Sequence, residues 1–137
     1  MKPTIKEVFK RHKKMWRWLA KHPELSKEHW PGWKKYKSFK NHCHICSFLK
    51  RNKMWCSPID RWAYGYKIVP CLLNWGKPYC DCQGTYFTRW CKAKTELARK
   101  RNALLIANLT INNYWKKLLK KEEKNENNME VHIGTRS

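Results

Sequence analysis

Six of the seven cysteines lie between positions 43 and 82. Cys43 and Cys46 form a CxxC pair, the spacing at which two thiolates can bind one tetrahedral ion from a tight turn. Cys56 follows after nine intervening residues and Cys71 after fourteen more. The chemistry that these residue types and spacings indicate is metal binding, because four sulfurs could complete one structural site with Zn²⁺ as the cofactor.

Other potential ligands lie close by in the sequence. Cys80 and Cys82 form a CxC pair, and His42 and His44 flank Cys43 on either side. These four residues stay open as alternative zinc ligands. The N-terminal segment is charged and contains no apolar run typical of a secretory signal, so we expect a reducing compartment. Clustered thiols there bind metal more often than they form disulfides, and seven is an odd number for a complete disulfide framework.

The same segment has few groups that could perform catalysis. A catalytic zinc needs an open coordination position and a nearby general base, but residues 42 to 91 contain no glutamate and only Asp60 and Asp81 as carboxylates. A redox CxxC is typical of a βαβ setting, which is not predicted before Cys43. The ten acidic residues are scattered along the chain, so no paired-metal nuclease site is predicted. We therefore expect a protein without enzymatic activity.

The charge of the chain indicates a polyanionic partner. The 137 residues contain 31 Lys and Arg against 10 Asp and Glu, a formal net charge of +21, which opposes compaction unless something anionic binds. Residues 1–40 hold thirteen basic and three acidic side chains, residues 41–84 six and two, and residues 85–137 twelve and five. The excess positive charge lies in the two flanks, and the cysteine-bearing middle is close to ordinary.

An amphipathic helix is predicted near the N-terminus. Thr4 and Glu7 form a capping box at its start and Pro23 ends it. Its apolar stripe has helical spacing and consists of Ile5, Val8, Phe9, His12, Met15, Trp16 and Leu19. After the WPGW turn, aromatic residues alternate with lysines, and we place Trp30 and Trp33 in the core.

Basic residues on the two flanks are the predicted contacts to phosphates, because their excess over acids is too one-sided for ordinary surface salt bridges. Interleaved aromatics can also stack on bases. The predicted nucleic-acid-binding residues are Lys10, Lys13, Lys14, Arg17, Lys34, Lys35, Lys37, Arg99, Lys100 and Arg101.

The fold class that the pattern predicts is mainly α. A helical stripe from 85 to 109, with a possible break at 98–102, predicts one long helix, and a last short helix follows with Trp115, Leu118 and Leu119 inward. This long C-terminal helix packs with the N-terminal helix around an irregular, zinc-stapled central insert that buries little by itself. The single domain spans 1–124, with a basic helical segment at 1–40, a zinc module at 41–84, a second basic helical segment at 85–124 and a flexible tail at 125–137.

Several runs resemble a family of small uncharacterised proteins encoded by bacteriophages. These runs are WRWLAKHPELSKEHWPGW, the CxxC pair, CSPIDRW, GTYFTRW and RKRNALLIANL, and the resemblance covers roughly residues 12 to 112. The WPGW turn, CSPIDRW and YFTRW are its most specific parts. It implies a phage origin and a metal site whose recurring cysteines correspond to Cys43, Cys46, Cys56 and Cys71. Family members often have a second CxxC ending at the position of Cys56, where this chain has Lys53 as the first residue of the pair.

Two functions from different classes fit these features. The first is a zinc-stabilised nucleic-acid-binding protein for RNA or DNA, acting in host takeover or counter-defence in the cytoplasm of the infected bacterium. No helix-turn-helix, C2H2 finger or RNP signature is present, so sequence-specific recognition is not predicted. The second is an inhibitor that docks on a host nucleic-acid enzyme, such as a CRISPR nuclease or RNA polymerase. Membrane binding is not expected, because no run is long enough to cross a bilayer and the apolar stripe is needed for a core.

Overall fold

A computed structural model describes residues 3–36, 44–57, 60–76, 80 and 84–136, and for 126–136 it describes the backbone alone. The predicted mainly-α class is confirmed. A parallel pair of two-residue strands, β1 (Met54–Trp55) and β2 (Lys67–Ile68), lies in the middle of the chain. The helices of the described ranges are α1 (Ile5–Lys21), α2 (Gly32–Lys35), α3 (His44–Arg51), α4 (Tyr86–Lys92), α5 (Glu96–Ala107) and α6 (Asn113–Arg136).

α1 begins where the sequence predicts, with the Thr4 half of the predicted capping box. The Thr4 hydroxyl accepts a hydrogen bond from the Glu7 N–H at 3.2 Å, which satisfies one of the free donors of the first turn. The Glu7 carboxylate lies 3.4 Å from Arg11, one turn further along. The predicted apolar stripe faces inward, since Val8, His12, Met15, Trp16 and Leu19 are all buried.

Two hydrophobic clusters share α1. The first, which we call the central core, contains Val8, Ile45, Phe48, Leu49, Trp55, Ala63, Val69, Cys71, Leu72, Leu73 and Trp115. The second, which we call the tryptophan core, contains Met15, Trp16, Leu19, Ala20, Trp30, Trp90, Ala103, Ile106 and Ala107. The N-terminal half of α1 therefore faces one cluster and its C-terminal half faces the other.

The prediction that the middle segment buries little is wrong. Nine of the eleven members of the central core come from residues 45–73. The apolar residues of this segment are spread over α3, β1 and the loops, so no single periodicity marks them. Backbone hydrogen bonds also fix the segment: Asn74 N–H donates to Thr110 O at 2.9 Å, and Asn112 N–H donates to Leu72 O at 2.8 Å. The insert is thus a packed part of the molecule.

The single helix predicted from 85 to 109 is also wrong. The chain leaves the helical conformation at Ala93 and re-enters it after Thr95, whose hydroxyl accepts the Ala98 N–H at 3.1 Å. Threonine is a favoured N-cap residue and starts α5 here. The interruption at 93–95 thus precedes the possible break at 98–102. The expected packing of the N-terminal helix on the C-terminal segment is present, because α1 packs most extensively on α5.

The last helix is longer than predicted. Its Trp115 is buried and its Leu118 and Leu119 are half-buried, as expected. The backbone of α6 continues to Arg136, through the segment for which the sequence predicted an aperiodic tail. The physical reason is that no proline or glycine occurs between Asn113 and Ile133, so nothing in the sequence ends the helix once it has begun.

The WPGW turn places one of its two tryptophans in the core. Trp30 is buried and Trp33 is half-buried. A Cβ atom at Gly32 would overlap the Trp30 indole, closer than any side chain tolerates. Glycine is therefore required for Trp30 to fold back over the turn.

In the described ranges no helix is both long and apolar enough to cross a bilayer.

Candidate metal centre and nucleic-acid surface

Three of the four predicted zinc ligands lie in the same part of the molecule. Cys71 is a buried member of the central core, and Cys46 and Cys56 are half-buried and pack against that core. Cys46 is on α3, Cys56 directly follows β1, and Cys71 follows β2. Cys43, the fourth predicted ligand, lies outside the described residues. The fold thus places three cysteines that are far apart in sequence in or against one hydrophobic core.

Cys71 has a neighbour that suits a thiolate. The indole Nε1–H of Trp75 donates to its sulfur at 3.4 Å. An N–H group directed at sulfur stabilises the negative charge of a thiolate, and such donors are typical of the shell around metal-bound cysteines. This contact favours Cys71 as a ligand.

His44, an alternative zinc ligand, packs against the rings of Trp30 and Tyr36. It is buried on α3, with its ring centroid 5.6 Å from Tyr36 and 6.2 Å from Trp30. Burial lowers the pKa of its imidazole to about 4, and nearby Arg11 and Arg51 add to this effect. Within the described part of the chain neither ring nitrogen has a hydrogen-bond partner. Residues two apart on a helix project in nearly opposite directions, so His44 does not share a face with Cys46.

Of the remaining alternative zinc ligands, only Cys80 lies within the described residues. Cys80 is half-buried, and its carbonyl accepts a hydrogen bond from the Thr85 hydroxyl at 2.5 Å, just before α4. His42 and Cys82 lie outside the described residues. Residues 3–36, 44–57, 60–76, 80 and 84–136 contain no group of three or more His, Cys, Asp or Glu side chains arranged to hold a metal ion. The zinc site therefore stays a prediction.

A row of exposed cations runs along α1. Its members, which we call the cationic stripe, recur every three or four residues and lie on the face opposite the buried one. From first to last they span about 22 Å at the standard helical rise. Glu7 is the single acidic residue of α1 and lies beside Arg11. The cationic stripe consists of Lys6, Lys10, Lys14, Arg17 and Lys21, all exposed.

The other predicted phosphate contacts differ in their surroundings. Lys13 is half-buried, with its ammonium 4.8 Å from the Phe9 ring centroid. Lys34 and Lys35 are exposed on α2. Lys100 and Arg101 are exposed on α5. Lys37 lies outside the described residues.

Arg99 has a structural environment that the sequence did not reveal. Its guanidinium stacks on the Trp90 ring at 4.2 Å and donates to Leu25 O at 3.1 Å. The side chain is half-buried. A guanidinium engaged on both a ring face and a carbonyl has less freedom to bind a phosphate. We therefore assign Arg99 to the packing of α5 on the segment that follows α1.

Two exposed hydrophobic features were missed by the sequence analysis. Tyr64 is 94% exposed and Trp62 is 44% exposed in the loop between β1 and β2. On α5, Leu97, Leu104 and Leu105 are 58%, 39% and 42% exposed. Tyr64 and Gly65 are adjacent in the sequence, and this turn signal could have placed the tyrosine at a loop tip. Nothing in the helical stripe of α5 marks its leucines as exposed.

The fold and the surface define a class: a mainly α-helical protein with a cationic exterior and a cysteine-bearing centre. No protein-family model matches the chain, and no curated protein or solved structure is significantly similar to it. The resemblance to bacteriophage proteins therefore stays a prediction.

Proposed function

We propose that this chain is a basic nucleic-acid-binding protein whose central segment is stabilised by zinc. The observation that carries the proposal is the cationic stripe, an uninterrupted row of five exposed cations on α1. Its length matches several phosphates of a nucleic-acid backbone, and each neutralised phosphate releases counterions and so adds affinity. Lys34, Lys35, Lys100 and Arg101 extend the cationic surface. Both RNA and DNA fit this electrostatic mode of binding.

Zinc is the proposed cofactor, with Cys43, Cys46, Cys56 and Cys71 as its ligands. The support is that Cys46, Cys56 and Cys71 all lie in or against the central core, together with the indole N–H directed at Cys71. In this role the ion is structural: it fixes α3 and the loops around β1 and β2, and no step of a reaction is assigned to it. Non-enzymatic action in a phage-infected bacterial cytoplasm, in host takeover or counter-defence, remains part of the proposal.

Charge reversal on the stripe tests the function. We expect the triple variant Lys10→Glu, Lys14→Glu and Arg17→Glu to bind a labelled RNA or DNA oligonucleotide at least about tenfold more weakly at moderate salt. The slope of log affinity against log salt should shrink by about two to three, since each phosphate contact contributes about 0.7 to 0.9. Fluorescence anisotropy over a salt series measures both quantities.

The matched control reverses the same amount of charge elsewhere. The triple variant Lys116→Glu, Lys120→Glu and Lys124→Glu changes exposed residues of α6 and should cause a clearly smaller loss. Equal losses in the two triple variants would show that net charge alone matters, and would remove the assignment to α1. Circular dichroism and zinc content should be unchanged in both.

A second candidate function is supported by the exposed leucines of α5. Leu97, Leu104 and Arg101 lie within one stripe of this helix, with Leu105 beside it. An apolar ridge that includes a cation suits a protein surface with an acidic rim, as in an inhibitor that docks on a host nucleic-acid enzyme. The salt response separates the two functions, because a complex formed through leucines weakens far less with salt than one formed through phosphates.

A further inference from the structure

The loop between β1 and β2 presents a tyrosine at the tip of a tight turn. Tyr66 N–H donates to Ala63 O at 2.9 Å. Tyr64 has φ −56° and ψ 129° and Gly65 has φ 83°, which are the values of a type II turn. Glycine supplies the positive φ of the third position at no steric cost. The turn holds Tyr64 outward, and the residue is 94% exposed.

A tryptophan lies beside this turn and is anchored from below. The Trp62 ring meets Trp55 edge-on at 4.5 Å and Tyr66 edge-on at 5.8 Å between centroids. Trp55 is itself buried, and its Nε1–H donates to Asp60 Oδ2 at 2.6 Å. These contacts fix one side of Trp62, while 44% of its surface stays open to solvent. We call Trp62 and Tyr64 the aromatic platform.

Cations surround the aromatic platform. The Lys50 ammonium lies 4.9 Å from the Trp62 ring centroid, and that of Lys53 lies 5.4 Å from Tyr66. Arg61 is exposed in the same loop, and Lys67 is exposed on β2. Residues 44–76 contain a single acidic side chain, Asp60, and one of its oxygens accepts the Trp55 indole proton. The surroundings of the two exposed rings are therefore strongly cationic.

We propose that the aromatic platform binds the unpaired bases of a single-stranded nucleic acid. One base stacks on Tyr64 and a neighbouring base on Trp62, while the phosphates between them contact Arg61, Lys67 and Lys50. Stacking accepts any base, because every base has a π face. In a duplex the neighbouring base pairs cover these faces, so stacking on a side chain requires a single strand. This inference rests on the proposed function and names its substrate class, which the cationic stripe alone leaves open.

The geometry favours a nucleic acid over an acidic protein as the occupant. A protein hot spot typically buries its aromatic anchor in a pocket at the centre of a contact surface. Tyr64 instead projects from a two-residue turn and is 94% exposed. A ring that both faces can approach, between cations, is the arrangement found where single strands pass across a protein.

Single-ring variants test the aromatic platform. Tyr64→Ala should weaken binding of a labelled uridine or thymidine dodecamer by about 5- to 150-fold, the range of one lost stacking contact. Tyr64→Phe keeps the ring face and should bind as the original protein does. Binding of a blunt 12-base-pair duplex should change less than twofold in all variants. Tyr114→Ala, which removes an exposed tyrosine from α6, is the matched control and should leave both affinities unchanged.

Trp62→Ala provides a second measurement, with thermal melting to verify its fold because Trp62 packs on Trp55. Tyr64, nearly fully exposed, keeps the test decisive in any case. The uridine and thymidine arms differ in the 2′-hydroxyl and show whether RNA or DNA is bound more tightly.

The outcomes separate the two proposals. Loss of single-strand affinity in Tyr64→Ala, with recovery in Tyr64→Phe, supports the platform. A change below twofold, or an equal loss for duplex and single strand, overturns the platform and leaves the proposed function standing. Failure of the original protein to bind either oligonucleotide at low salt overturns both.

Discussion

At the residue scale, His12 shows how an ionisable group is used inside the core. Its Nε2 lies 3.1 Å from Ile106 O on α5, so the neutral ring donates this hydrogen bond and ties α1 to α5. Burial lowers the pKa of His12 to about 4, well below the value of about 6.5 in an unfolded chain. The ring is therefore neutral at physiological pH.

This shift predicts a loss of stability in mild acid. The unfolded chain binds the His12 proton more readily than the folded protein, so the free energy of unfolding falls as the pH drops from about 6.5 towards 4. Between pH 7.5 and pH 5 the expected loss from this residue is about 2 kcal/mol. Urea denaturation at both pH values measures the total effect.

His12→Gln isolates the contribution of this residue, because the amide can still donate to Ile106 O without titrating. It should show a weaker dependence of stability on pH than the original protein. An NMR titration in which the His12 ring gains its proton near pH 6.5 would contradict the prediction.

At the element scale, the start of α1 depends on a residue more than one hundred positions away. The Glu122 carboxylate on α6 accepts the N–H of Ile5 at 3.0 Å and of Lys6 at 3.2 Å. These are donors that the first turn of a helix leaves free, and a negative charge there also favours the helix dipole. α6 thus acts as a second cap of α1.

We expect Glu122→Ala to lower the free energy of unfolding by about 1 kcal/mol, the usual cost of a lost N-cap. Glu123→Ala removes the same charge from an exposed neighbour and is the control. Chemical denaturation of the two variants gives the comparison, and Glu122→Gln, which keeps an oxygen acceptor, should fall between them. Equal stabilities of the two alanine variants would show that the contact to α1 contributes nothing.

The elements also show what could be predicted from sequence. The apolar stripe and Thr4 defined α1, because periodicity and capping are local signals. Thr95 carried an equally local signal, but the apolar residues on both sides of it made one long helix the simpler interpretation. Glu122 and the exposure of Tyr64 depend on tertiary neighbours, which no local pattern contains. The central core was missed because its members come from loops as well as from α3.

At the scale of the whole molecule, the zinc content of the purified protein tests whether a structural metal ion stabilises the fold. We expect the purified protein to contain about one zinc ion per chain and to lose thermal stability when a strong chelator removes it, since a structural ion contributes directly to folding. Cys46→Ser and Cys71→Ser should lose the metal, as measured by elemental analysis. Cys91→Ser, at an exposed position on α4 outside the candidate ligands, should keep it.

Protein that is purified without zinc, or that is as stable after chelator treatment as before it, would contradict this prediction. Retention of one zinc ion by Cys71→Ser would instead move the fourth ligand to Cys80, Cys82 or His42.

The position of α1 between the central core and the tryptophan core has a consequence for how the molecule responds to its ligand. Its inner face belongs to both clusters, while its outer face carries the cationic stripe. A polyanion that binds this outer face relieves the repulsion among the cations of α1. Because it binds the folded state, it also raises the free energy of unfolding of both clusters that contain α1. Because neither cluster can lose α1 and remain intact, the central core and the tryptophan core should unfold in one thermal transition. The midpoint temperature of that transition should rise when the polyanion is added.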